Sequence, residues 1–405
     1  MLDQPIHMSL DDLISFGIDA ERGFLPAKDP LRQLPPEFAP WEDVADDIGK
    51  LIVAGRLRGA VDGLPRLPVS AIGDERAARR AMLVLSYLGH AYVWGADGAA
   101  GVIPEPIAVP WHQLAQRLGR PPVLSYASYA LDNWRRIDAG GPIEIENLAI
   151  AQNFLGGADE DWFILIHVEI EARAAPAIRA IPAAIGAVAR DDADGLAAAL
   201  SEMEASLAAM IETLRRMPEF CDPYIYFHRV RPYIHGWKDN PAVPDGVVYE
   251  GVGVYGGVAR KFRGETGAQS GIIPAIDAAL GIVHGHDRLR VYLMEMRDYM
   301  PPGHRAFVEA VEDRSAIRGF VEDAGASDRS LLSAYDSCLR RVEEFRSIHL
   351  EFAARYIFRQ AGDERANPNS TGTGGTPFMP YLKKHRDETR PGPFKQEDAD
   401  ENALA

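Results

Sequence analysis

The chain of 405 residues is 47% hydrophobic, enough to bury a large core, and its length allows two or three domains. Its formal net charge of −16 is spread out and its Lys/Arg runs stay short, as at Arg79-Arg80 or Lys383-Lys384, so a nucleic-acid partner is not expected. The two cysteines, Cys221 and Cys338, lie far apart without a CxxC or Cys/His ligand spacing, so neither a disulfide framework nor a zinc site is indicated and a reducing cytosol fits. At the N-terminus, MLDQPIHMSLDDLI carries acids where a secretory leader needs a basic and then an apolar region. Ser9-Leu-Asp-Asp reads as a helix start, PLRQLPPEFAPWED as a turn-rich connector, and Trp41 to Gly59 as a helix. A longer helix lies within Ser70 to Trp94, where Ala77, Ala81, Val84, Leu85 and Leu88 keep helical spacing. Its apolar run AMLVLSYLGHAYVW is too short to cross a membrane, so neither a membrane nor any location but the cytoplasm is expected. His90 and His112 have no partner at ligand spacing and read as core or surface histidines. VPWHQLAQRLG is helical, Pro121-Pro122 breaks it, and a second helix follows with Tyr126 and Tyr129 on nearly one side. In GGPIEIENLAIAQNF, Ile143, Ile145 and Leu148 roughly alternate with Glu144 and Glu146, a short strand or hairpin. Gly156-Gly157 then marks the boundary between a small mixed domain, residues 1–157, and a larger helical one, residues 158–385.

The helix DEDWFILIHVEIEARAAPAIRAIP puts Phe163, His167, Ile170 and Ala174 on one face, with acids in its first turn. His167 on that apolar face is either a satisfied core imidazole or a functional one. After Pro182 an alanine-rich scaffold helix is capped by Asp191 and Asp192. CDPYIYFHRVRPYIH forms an apolar, aromatic helix carrying Arg229 and Arg231, at least one of which should reach water. A glycine-rich turn segment, Asp245 to Gly257, leads to FRGETGAQSGIIP, whose Gly264, Gly267 and Gly271 lack the GK[ST] ending of a phosphate loop, and a helix begins at about Gln269. The HGHD at His284 splays its rings and has no third ligand nearby in sequence, so it reads as solvated surface. His304 after Pro-Pro-Gly reads as a surface or capping residue. From Leu331 to Tyr356, Leu331, Tyr335, Cys338, Val342, Phe345, His349, Phe352 and Tyr356 recur at alternating gaps of four and three, one helix face. His349 therefore points inward, as a core imidazole or as the axial ligand of a haem-type metal at the floor of an apolar pocket. Beyond this helix the chain loses apolar periodicity, so a mobile loop and, from Arg386 to residue 405, a disordered acidic tail are expected.

RSIHLEFAARYIF, HGWKDNP from His235, DGVVYEG from Asp245, GAQS at Gly267, MRDYMPPGHRAF from Met296 and GTGGT at Gly372 resemble the indoleamine 2,3-dioxygenase family of haem enzymes. The matches run in consistent order from about Pro104 to Lys384. The resemblance implies a mainly α fold, with the small N-terminal domain covering the distal pocket of a large helical domain that binds haem b. It makes His349 the proximal iron ligand and sets Arg346 close to a haem propionate. It places Tyr126, Phe163, Tyr226 and Phe227 as aromatic walls, Arg231 as the clamp on a substrate carboxylate, and Thr266 and Gly267 over the distal face. It makes GTGGT a lid, with Thr373 near the substrate carboxylate and ammonium. His167 falls at a distal, catalytic position where vertebrate members carry serine and the related tryptophan 2,3-dioxygenases use histidine. The implied reaction joins L-tryptophan, or a related indole, with O2, cleaves the indole 2,3 bond and gives N-formyl-kynurenine, in a monomeric enzyme. Two alternatives stand beside it: rearrangement of a substituted tryptophan, and a non-catalytic oxygen-binding or haem-sensing protein.

Overall fold

Helices build the structure, and strands add only two short ribbons among the described residues. The computed structural model describes residues 8–285, 288–324, 328–360 and 378–389. Ser9 and Asp12 form a capping box at the helix Leu10–Ser15, as the sequence suggests. The helix expected from Trp41 to Gly59 is three pieces, Ala39–Asp46, Ile48–Val53 and Leu57–Asp62; Asp47, at φ −98° and ψ 8°, makes the first break and Gly55, at φ +65°, the second. Helix Glu75–Trp94 begins where the Asp74 carboxylate accepts the Ala77 N–H at 2.8 Å and is buried on nearly every face. Helix Glu105–Leu118 stops at Gly119, which is left-handed. The helix expected after Pro121-Pro122 shrinks to one wide turn, Ala127–Leu131, since Trp134–Arg136 leaves to pair antiparallel with Leu148–Ile150. That strand starts at the end of the expected alternation, not across it. Ile145–Asn147 is a 3-10 turn, and Glu144 and Glu146 serve ion pairs with Arg173 and Arg216.

The N-terminal segment is stitched to the helical remainder. Val102–Ile103 pairs in parallel with Val248–Tyr249, and the Trp94 indole N–H donates to the His235 carbonyl at 2.9 Å. His90 is a satisfied core histidine: its Nδ1–H donates to the Tyr233 carbonyl at 2.8 Å and its Nε2 accepts the Leu124 N–H at 2.9 Å. His304 is not at the surface, as its position in the sequence suggested. It is 6% exposed and its ring sits 4.8 Å from that of Phe24, because Gly303 lies flat against the Phe16 carbonyl and draws the turn into the core.

Three long helices carry the rest. Ala158–Ala189 follows the turn at Gly156 and Gly157, both of positive φ, and runs unbroken through Pro176 and Pro182. A proline inside a helix forfeits a rung of the hydrogen-bond ladder. Here Ser206 of the next helix ties the rung adjoining the one Pro176 forfeits, its hydroxyl donating to the Arg173 carbonyl at 2.6 Å and accepting the Ala177 N–H at 3.3 Å. That next helix, Ala193–Arg215, starts at Asp192, which accepts the Gly195 N–H at 2.8 Å. It packs between Ala158–Ala189 and Arg329–Ala353. The last of these buries Leu331, Tyr335, Cys338 and Val342, and Tyr356 in the wide turn after it, on the face that the spacing predicts. A further helix, Phe378–Thr389, replaces part of the expected loop and the start of the expected tail, so residues 386–389 are ordered helix. Among its described side chains the buried ones are His385 and Thr389, one turn apart and both polar. The GTGGT segment with Thr373 lies outside the described residues.

Candidate active site

Two histidines stand on the two long helices that flank Ala193–Arg215. On Ala158–Ala189, the Nδ1–H of His167 donates to the Phe163 carbonyl at 2.7 Å, one turn back, which leaves Nε2 with its lone pair. On Arg329–Ala353, His349 has no hydrogen-bond partner among the described residues. Its side chain is exposed, yet its pKa is driven down to about 4, first by desolvation and then by the charges of His167 and Arg346. Both facts hold for an imidazole that lines an internal hollow rather than the outer surface.

Aromatic rings wall it in a continuous run. Phe163 lies 4.6 Å from the His167 ring and 4.6 Å from Tyr226, Tyr126 meets His167 edge-on at 6.0 Å, and Tyr226 meets Tyr356 edge-on at 5.9 Å. Behind the wall Arg231 is 1% exposed, with its guanidinium carbon 5.3 Å from the centre of the Phe227 ring. Burial lowers its pKa to about 10, so it stays charged at neutral pH beside Tyr226. Arg229, two residues earlier, is exposed.

Beneath Tyr126 is a network that the sequence did not single out. Glu171 Oε1 accepts the Tyr126 hydroxyl at 2.9 Å and the Ser270 hydroxyl at 2.8 Å, while Oε2 is buried without a partner. Burial raises this carboxyl to about 7. Its i+4 position from His167 was the available signal, since that spacing puts both on one face. Glu265, 3% exposed, is raised by burial to about 8, and its charge reaches both Tyr126 and Tyr226. The next residues, Thr266 and Gly267, open a 3-10 turn in which the Thr266 hydroxyl accepts the Ala268 N–H at 3.4 Å. A Cβ on Gly267 would meet nothing within 4 Å, so this turn borders open space. It is pinned to the Arg231–Ile234 helix where Gly236 and Gly264 cross. A Cβ on either glycine would stand 2.1 to 2.2 Å from the other's backbone nitrogen, and the Glu265 N–H donates to the Ile234 carbonyl at 3.1 Å.

Arg346 points to protein partners in this structure. Its Nη2 donates to Asp277 Oδ2 at 2.5 Å and its Nη1 to the Thr389 hydroxyl. His284 is not a solvated surface residue: it is half-buried between Asp277 and Glu388, and the chain folds His385 against it. A polar cleft of about 270 Å³ on the N-terminal segment, floored by the Glu42–Arg80 ion pair, contains none of the groups above.

An imidazole without a protein partner, in a hollow with aromatic walls, is the donor a haem iron takes, and the residues present fit that group. The family model described as Indoleamine 2,3-dioxygenase matches residues 12–391. The chain belongs to the indoleamine 2,3-dioxygenase family. It is similar to Indoleamine 2,3-dioxygenase 1 of Rattus norvegicus, 38% identical over 392 residues that cover 93% of this chain and 95% of the relative. Indoleamine 2,3-dioxygenase 2 of Homo sapiens is 36% identical, with coverage of 93% and 94%. Indoleamine 2,3-dioxygenase of Saccharomyces cerevisiae is 31% identical, with coverage of 93% and 92%. The chain is thus a haem-dependent dioxygenase of indoles, an oxidoreductase. None of the dioxygenase's described helices is long and apolar enough to cross a membrane.

Proposed function

We propose that this dioxygenase cleaves the indole 2,3 bond of L-tryptophan with O2, both oxygen atoms entering the product N-formyl-L-kynurenine. The observation that supports it best is the buried guanidinium of Arg231 beside the aromatic wall that faces His349. Tryptophan needs that pairing, a flat apolar wall for its ring and a fixed cation for its carboxylate. His349 would hold the iron of haem b. Haem supplies the redox-active iron that lets O2 react with a closed-shell indole. Arg346, one turn before His349, would reach a propionate with part of its five donors, the rest being engaged by Asp277 and Thr389.

The remaining roles belong to side chains around the substrate. Phe163, Tyr226 and Tyr126 pack on the indole and keep water out, and Phe227 backs the guanidinium of Arg231, whose fork takes the carboxylate bidentately. Thr266 and Gly267 leave room on the open side, and the family resemblance assigns Thr373 to the amino-acid head. The tautomer that Phe163 imposes makes His167 Nε2 an acceptor for the indole N–H. Desolvation lowers its pKa, so it is a weak base that orients the ring. We also read residues 1–157 and 158–385 as two domains, since both glycines at their junction have positive φ, and the protein as a cytoplasmic monomer whose two buried thiols suit a reducing compartment.

The test is to give ferrous protein L-tryptophan and air and follow the absorbance of N-formyl-kynurenine. Tryptophan consumed without that product overturns the substrate assignment. The charge of His167 that reaches His349 also fits a haem sensor with two axial histidines. A six-coordinate low-spin ferrous spectrum, lost in His167→Ser, would establish that reading instead.

A further inference from the structure

Away from the histidine pair, the side chains of His284, His385 and Glu388 each offer a ligand atom, and these atoms all lie within 4.8 Å of one another. His284 follows the helix Ile272–Leu280, whereas His385 and Glu388 sit three apart on Phe378–Thr389 and share a face. Both ring nitrogens of His284 meet carboxylates: Nε2 is 3.1 Å from Asp277 Oδ2 and Nδ1 is 2.7 Å from Glu388 Oε2. A neutral imidazole has one N–H and satisfies only one of them. Arg346 Nη2 lies 3.4 Å from Nε2 and also donates to Asp277; with Nε2–H given to Asp277, the Nδ1 lone pair faces a carboxylate oxygen, a contact that a proton or a metal ion at Nδ1 relieves.

His385 says which cation. Its ring stacks on His284 at 3.9 Å, is 9% exposed and has no hydrogen-bond partner among the described residues. A proton on His284 would leave that buried imidazole idle, whereas a metal ion would use it. We infer that His284 Nδ1, His385 and Glu388 Oε2 form a site for a divalent transition ion of the zinc class, separate from haem. Two imidazoles and a carboxylate are the set such borderline ions take, with a water in the fourth position. Asp277 holds the far nitrogen of His284, the outer carboxylate that fixes a ligand's tautomer. Lys384 sits 3.4 Å from the other oxygen of Glu388 and leaves Oε2 to the ion. Because Asp277 also binds Arg346, the ion clamps the C-terminal helix both to Ile272–Leu280 and to the helix that carries His349.

The experiment uses the full-length haem-loaded protein, freed of loose metal with a chelator and dialysed against Zn2+. One equivalent of zinc is expected to bind and to raise the melting temperature, with the haem absorbance unchanged. Affinity should fall by roughly a hundredfold or more in His385→Ala and in the near-isosteric Glu388→Gln. Failure of the wild type to retain zinc would overturn the site, as would equal retention by folded Glu388→Gln.

Discussion

At the scale of single residues, the site depends on what each side chain has left to give. His349 has given nothing to the protein, so His349→Ala should abolish stable haem binding. Helix content by circular dichroism should be nearly unchanged, because Leu331, Tyr335, Cys338 and Val342 still seat the helix. A normal haem spectrum in that variant would remove the proximal assignment. Arg231→Ala takes away a charge-assisted bidentate contact and should reduce kcat/KM for L-tryptophan by about 1.5 to 3 kcal/mol. His167→Ser removes one neutral hydrogen bond, so steady-state rates should show a loss of only about 0.5 to 1.5 kcal/mol, with 1-methyl-tryptophan better tolerated. A loss of about 4 kcal/mol, roughly a thousandfold in rate, would mean that His167 removes a proton. Spacing put His167 and His349 on apolar faces but left each as either a core or a functional imidazole, and only the family resemblance singled them out as site residues. Glu171 was not singled out, since an acid one turn further along looks like any solvated helix flank until the fold covers it.

Elements were legible where burial follows a period and illegible where polar groups do the anchoring. The seam of Arg329–Ala353 follows from seven gaps of four and three, whereas the described buried side chains of Phe378–Thr389 are the polar His385 and Thr389, the latter bonded by Arg346. The long helix through Pro176 makes a related point, because local chemistry disfavours it and a neighbour rescues it. Ser206→Ala would strand the buried Ala177 N–H and one acceptor of Arg173. We expect it to cost about 1 to 3 kcal/mol in urea unfolding, well above a usual serine-to-alanine change in a helix. An unchanged midpoint would show that the helix needs no such tie.

For the whole molecule, buried ionisable groups set the pH range of stability. His90 and His304 are lowered to about 3 in the fold, so the unfolded chain binds more protons and stability falls as pH drops below about 6.5 toward 3. Glu160 and Glu171 are raised to about 7 and Glu265 to about 8, so the native state holds the extra protons and stability falls as pH rises from about 4.5 to 8. The two trends oppose each other between about 4.5 and 6.5 and act alone outside it. Where the trends overlap the three carboxyls outweigh the two imidazoles, so calorimetry should find the highest melting temperature near pH 4.5 to 5 and a decline through pH 8. Glu171→Gln, which keeps both hydroxyl bonds but cannot ionise, should flatten the alkaline limb by up to about 1.4 kcal/mol per pH unit. The crossing of Gly236 and Gly264 has a different kind of reach. It locks the helix of Arg231 and the turn of Thr266 into one casting, while Tyr126 and Phe163 stand on separate elements that can be recut one at a time. Relatives that drift toward new substrates on this scaffold should then vary the ring they accept and keep the amino-acid head.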